Sequence, residues 1–154
     1  RKGHFEGVLD VMSKLTKIIN PQKIFMGEKD FQQLYLVKKK LEGLYKTKII
    51  PCKTIRDKNN VALSSRNLLL NKSNLIIAAK IYEKLLSIKK NIKNRKNISS
   101  FLNLQKKELK NNYKIKIDYL ELRNINNLKI SSTKENSRLF IAYYLKNVRL
   151  IDNL

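Results

Sequence analysis

"KIFMGEKDFQQLYLVKKKLEGLYKTKIIP", residues 23–51, changes rhythm twice within about thirty residues. The apolar run at 23–26 is the right length for a buried strand and stops at Gly27. From Asp30 onward, Leu34, Val37, Leu41 and Leu44 recur at helical spacing, and Gly43 is placed to help close that helix. "KTKIIP" (46–51) returns to strand chemistry. Strand, helix and strand at this spacing form the βαβ unit of a parallel sheet, for which a right-handed crossover is expected.

Upstream, Val8, Val11, Met12, Leu15, Ile18 and Ile19 fall on one face of a helix that Asn20-Pro21 should stop. Downstream the pattern changes. Residues 75–88 and 100–112 read as helices, separated by "KKNIKNRKNISS" (89–100), whose composition suggests a solvated linker. Residues 114–124 and 137–145 read as strands, with a shorter one at 148–151. Helices followed by strands predict a small α+β unit, with the boundary near residues 68–74 and hence domains at 1–70 and 71–154. No internal repeat is visible.

The chain has 154 residues, 42% of them hydrophobic, enough for one ordinary domain or two small ones with a real core. Its apolar stretches are far shorter than a membrane span, and no signal peptide pattern opens the sequence. One cysteine, Cys52, fits a reducing compartment, and the expectation is a cytoplasmic protein without membrane partners. The sequence starts at Arg1, and a helical pattern begins within about ten residues, so a piece of a longer chain is expected. The charge is extreme, with 34 basic residues against 12 acidic ones, or +22. Such a balance points to polyanions. The lysines are nevertheless spread along the whole chain among many Asn and Ile, the mixture that AT-rich coding produces, so no specific nucleic-acid partner is expected.

Ligands of an open parallel sheet bind beyond the carboxyl ends of its strands, which is where "GEKD" (27–30) falls. Backbone N–H groups at the start of the following helix favour an anion, and Lys29 adds a full charge. The competing reading is a capping box, in which Asp30 caps the helix and Gln33 reaches back. A second polar segment follows the next strand: Thr54, Ile55, Arg56 and Asp57, then "ALSSRN" (62–67). Two hydroxyls beside an arginine suit the oxygens of a polyphosphate, although a lone S-S-R is commonly an ordinary surface loop.

"RKGHFEGV" (1–8), "GEKDFQQL" (27–34), "VALSSRN" (61–67) and "VRLIDN" (148–153), in this order and spacing, resemble the pantothenate synthetase (pantoate–β-alanine ligase) family over the whole chain. The resemblance implies an α/β fold: the second half of a Rossmann-like nucleotidyltransferase parallel sheet, related to class I aminoacyl-tRNA synthetases, followed by a small α+β C-terminal domain. It also implies a homodimer, ATP as a substrate with Mg2+, and pantoate and β-alanine as the molecules joined through a pantoyl adenylate.

By this resemblance Gly27, Glu28, Lys29 and Asp30 contact ATP, Lys29 at phosphate and Asp30 near the ribose. Ile55 meets adenine through its backbone, and Leu63, Ser64, Ser65 and Arg66 form the loop that closes over the phosphates. Gln33 holds pantoate. Arg1 and His4 match a segment beside the pantoate and β-alanine pockets, although Lys2 stands where that segment has proline. Lys29 and Arg66 are the expected catalytic groups, because adenylation builds negative charge on the transferring phosphate and on pyrophosphate. No residue of the chain is assigned as a metal ligand. Asn60 stands where glycine is common, and asparagine tolerates positive φ. The first strand and the histidine-bearing nucleotide motif of the family have no counterpart here, so the chain is expected to carry half a site and to be inactive alone. The alternatives are a basic nucleic-acid-binding domain and an inert remnant. The first is opposed by aromatics that sit within apolar patterns and do not alternate with arginines on one face.

Overall fold

A computed structural model describes residues 3–154; Arg1, expected near pantoate, lies outside the described residues. The chain forms two compact units, one running through Thr54 and the other from Ile55 onward. The first contains α1 (His4–Ile19), β1 (Lys23–Gly27), α2 (Phe31–Leu44) and β2 (Lys48–Cys52). The predicted βαβ pattern forms: β1 and β2 pair in parallel, with Phe25 opposite Ile50. Their sheet has two strands among the described residues.

Val37, Leu41 and Ile49 are the buried centre of this unit, and Val8, Leu9, Met12, Ile24, Met26 and Tyr45 pack around them. Polar groups pin the turns. Thr47 Oγ1 donates to Pro21 O at 2.6 Å, and Glu42 Oε1 accepts from Ile49 N at 2.8 Å. Asn20 takes the left-handed conformation that ends α1, as its Asn-Pro signal predicts. Two details differ from the sequence reading. Gly43 lies inside α2, which closes instead through Tyr45 N–H to Leu41 O, because an extended Tyr45 leads straight toward β2. The apolar stripe of α1 is only partly covered: Val8 and Met12 are half-buried, but Val11, Leu15, Ile18 and Ile19 are exposed. Among the described residues of this unit, one other helix and two strands offer too little surface to cover the whole stripe.

The second unit begins with a loop and a short 3₁₀ turn (Ser65–Leu69), then α3 (Lys72–Ile92), α4 (Ile98–Tyr113), β3 (Lys116–Asn124), β4 (Ser137–Leu145) and β5 (Val148–Asn153). The three strands make an antiparallel sheet in the order β3-β4-β5. Residues 139–143 of β4 are all buried, so the central strand reads as a continuous apolar run and not as an alternation. Ile81, Leu85, Ile88, Leu102 and Leu109 from the helices join Leu120, Leu122, Leu139, Ile141 and Leu145 from the sheet in one core. Asn71 and Asn97 cap the two helices through their side chains.

The "linker" at 89–100 is shorter than its composition suggests. α3 runs to Ile92 and α4 starts at Ile98, and both isoleucines are buried in the core; apolar burial at these two positions overrides the Lys/Asn-rich surroundings. The compact units separate at 54/55, and Val61 and Leu70 belong to the second core.

Candidate nucleotide site

Gly27 is the last residue of β1 and Glu28–Asp30 forms a 3₁₀ turn that feeds directly into α2. The turn therefore lies just beyond the carboxyl end of a parallel strand, as the sequence predicts. Asp30 makes no side-chain capping bond, and its backbone (φ −94, ψ 53) lacks the extended geometry of a helix cap. The capping-box alternative is not realised, because the 3₁₀ turn has already wound the chain before α2 begins. Asp30 is exposed, while Glu28, Lys29 and Gln33 are half-buried. Gly27 has ordinary extended φ, and nothing lies within 4 Å of where a Cβ would stand. His4 opens α1, with its ring 5.3 Å from that of Phe5. An open basin of about 730 Å³ in this unit follows β2 along Lys38, Glu42 and Lys46 to Pro51, and contains none of the expected ATP residues.

In the second unit the loop after Thr54 folds back on itself. Asp57 N–H donates to Val61 O at 2.9 Å and Leu63 N–H to Ile55 O at 3.0 Å, with Arg56 bridged to Ala62. Asp57 Oδ1 accepts from the backbone of Asn59 and Val61, and Asn60 turns the chain at φ 64. Ile55 and Leu63, eight residues apart in sequence, thus stand side by side with exposed side chains. Ser64 leads into the 3₁₀ turn and accepts from Arg66 N–H at 3.3 Å, while Asn67 Nδ2 donates to Ala62 O at 3.0 Å. Ser64 and Arg66 are half-buried and Ser65 is exposed.

Sequence reasoning missed what anchors this loop. The Arg56 guanidinium donates twice to Asp152 on β5, at 2.7 and 2.8 Å, and once to Asn60 O at 3.1 Å. It also lies 3.9 Å from the centre of the Tyr82 ring on α3. Burial works against the Arg56 charge, but the Asp152 carboxylate outweighs it and raises the guanidinium above its ordinary range. Burial also pushes the neighbouring Tyr143 phenol up, with Asp152 acting in the same direction. The partners are separated by 96 positions, so no local pattern announced the pair. Among the described residues no group of three His, Cys, Asp or Glu side chains could hold a metal ion, and no helix is long and apolar enough to cross a membrane.

Known proteins share both the sequence and the fold. The sequence model of the pantoate-beta-alanine ligase family matches residues 1–154. A pantothenate synthetase of Flavobacterium psychrophilum is 36% identical over 158 residues, covering 100% of this chain and 56% of the relative. That of Francisella tularensis subsp. mediasiatica is 38% identical over 154 residues, covering 99% and 51%. The crystal structure of pantothenate synthetase from Thermus thermophilus superposes with a TM-score of 0.89 at 30% identity, covering 100% of this chain and 56% of that one. The pantoate-beta-alanine ligase of Francisella tularensis, solved in complex with beta-gamma ATP and beta-alanine, gives 0.74 at 36% identity, covering 100% and 51%. The chain spans about half the length of the curated relatives it matches, and corresponds to their C-terminal part. With a family match over its full length, two multi-residue motifs on the loops after β1 and β2, and an α/β fold shared with solved members, the chain belongs to the pantoate–β-alanine ligase family.

Proposed function

We propose that this chain carries the C-terminal share of an adenylating ligase. A pantoate carboxylate oxygen attacks the α-phosphate of ATP and pyrophosphate leaves. The β-alanine amine then attacks the acyl carbon of the pantoyl adenylate, AMP leaves, the amine loses its proton, and pantothenate is formed. Gly27, Glu28, Lys29, Asp30, Ile55, Leu63, Ser64, Ser65 and Arg66 are proposed to contact ATP, Gln33 pantoate, and His4 the β-alanine pocket. Lys29 and Arg66 would offset the charge that grows on the phosphates.

The observation that carries this reading is the turn after β1. It lies where an open parallel sheet binds ligands, presents Lys29 beside an α2 start without a side-chain cap, and has at Gly27 a glycine that neither φ nor local packing requires. The ATP and β-alanine complex of the Francisella relative supports the choice of substrates. Magnesium is proposed as a companion of the triphosphate: among the described residues no group of three His, Cys, Asp or Glu side chains would hold it, so phosphate oxygens and water would supply most of its ligands. We further propose that the βαβ unit is part of a Rossmann-like sheet, that the family's domains divide at 1–70 and 71–154, and that the enzyme is a cytoplasmic homodimer.

Single-turnover kinetics test the assignment in the full-length enzyme. Lys29→Ala and Arg66→Ala should each slow pantoyl-adenylate formation by roughly 10²- to 10³-fold, the scale for removing one preorganised donor. Preformed pantoyl adenylate should restore much of the β-alanine step, which no longer expels pyrophosphate. Wild-type adenylation in both variants would return the two loops to ordinary structural roles.

A further inference from the structure

The loop at 55–66 is held by its own short hydrogen bonds, and the charged group that ties it to β5 is Arg56. The Arg56 guanidinium meets Asn60 O within the loop, both carboxylate oxygens of Asp152 on β5, and the face of the Tyr82 ring on α3. The two side chains of the pair are 14% and 9% exposed, so water competes poorly for it. Asp152 Oδ1 also accepts from Asn153 N–H at 2.8 Å, which fixes the carboxylate's orientation toward the loop. The same loop brings Ile55 beside Leu63 and leads directly to Ser64, Ser65 and Arg66.

We propose that Arg56 is a positioning residue for adenylation: gripped between the Asp152 carboxylate and the Tyr82 ring, it holds the 55–66 loop in the one shape that presents Ile55 to the base and residues 63–66 to the phosphates of ATP. The proposal rests on the assignment of those residues to ATP. Arg56 is not among the residues assigned to ATP, pantoate or β-alanine; it acts by keeping the loop in its binding-competent conformation. A bidentate, stacked guanidinium is suited to this, because it fixes direction as well as distance. A lysine would keep the charge but lose the second hydrogen bond and the stacking plane.

The test uses Arg56→Lys and Asp152→Asn in the full-length enzyme, with melting curves as a check on folding. If the clamp keeps the loop competent and its loss leaves about a tenth of molecules in that state, the KM for ATP rises about tenfold. The rate of the β-alanine step from added pantoyl adenylate should stay within about twofold of wild type, and the amides of Asp57 and Leu63 should lose hydrogen-exchange protection while that of Leu139 keeps it. Arg56→Lys, which retains an ion pair, reads the effect if Asp152→Asn does not fold. An unchanged KM for ATP in the folded variants overturns the proposal, as does a proportionate loss in every kinetic parameter, which is the mark of a merely structural role. Lys29→Ala and Arg66→Ala separate the two ideas. If they slow adenylation while the clamp variants leave the KM for ATP unchanged, only the clamp falls; if they leave adenylation at wild-type rates, the ATP assignment falls and the clamp proposal with it.

Discussion

Gly27 shows how a single residue divides structure from function. Its φ of −68 is open to any amino acid, and an added Cβ would meet nothing within 4 Å. Gly27→Ala should therefore keep or slightly raise stability, by up to about 1 kcal/mol through a less mobile unfolded chain. If the open space is where ATP approaches the backbone, the same change should weaken ATP binding in the full-length enzyme. Calorimetric titration beside a melting curve checks both halves, and unimpaired ATP affinity would remove Gly27 from the site. Gln33, half-buried on the first turn of α2, should behave differently. Gln33→Ala should cost about 1–3 kcal/mol in pantoate binding, the loss of one buried hydrogen bond, with little change for ATP. Equal losses for both substrates would contradict that role.

Among the elements, the hairpin-like loop 55–63 depends most on one backbone torsion. Asn60 sits at φ 64 and directs its carbonyl to Arg56. Asn60→Gly should be neutral or mildly stabilising, whereas Asn60→Val should cost about 1–2 kcal/mol, since a β-branched residue resists the left-handed region; chemical denaturation would resolve the difference. What was legible at this scale follows from the range of the signals. The strand-helix-strand pattern of 23–51 was readable because Leu34, Val37 and Leu41 are buried at one helical face, so the period in the sequence is the contact in the fold. The stripe of α1 had the same period, yet Leu15 and Ile18 are exposed, because periodicity reports a helix without saying how much surface its neighbours can cover. Residues 89–100 misled for the opposite reason: two isoleucines in a polar run are enough to draw both helix ends into the core. "GEKD" and "SSR" stood out as polar segments after strands. Arg56 was seen only as part of a polar turn, since its partner Asp152 is supplied by the last strand.

At the scale of the whole molecule, the net charge and the small parallel sheet set the expectations. A parallel sheet with two strands among the described residues, beside an exposed apolar helix stripe, is a weak platform for a nucleotide, because sheets of this size depend on covering elements for stability. The 154-residue chain by itself is therefore expected to bind ATP weakly and to make no pantothenate, and steady turnover by it would show that the catalytic groups are misplaced. The net charge of +22 will still draw polyanions to it. If those lysines are surface composition without a built reading face, RNA binding is counterion release alone. Affinity should then fall about 10³-fold or more between about 50 and 200 mM salt for a footprint of several phosphates, and sequences of equal length should compete equally. A binding titration across salt, with homopolymer and mixed-sequence RNAs as competitors, reads both quantities. Binding that survives about 200 mM salt and prefers one sequence would mean directed base contacts, for which electrostatic attraction to phosphates offers no mechanism, and would give the basic surface a role separate from the ligase.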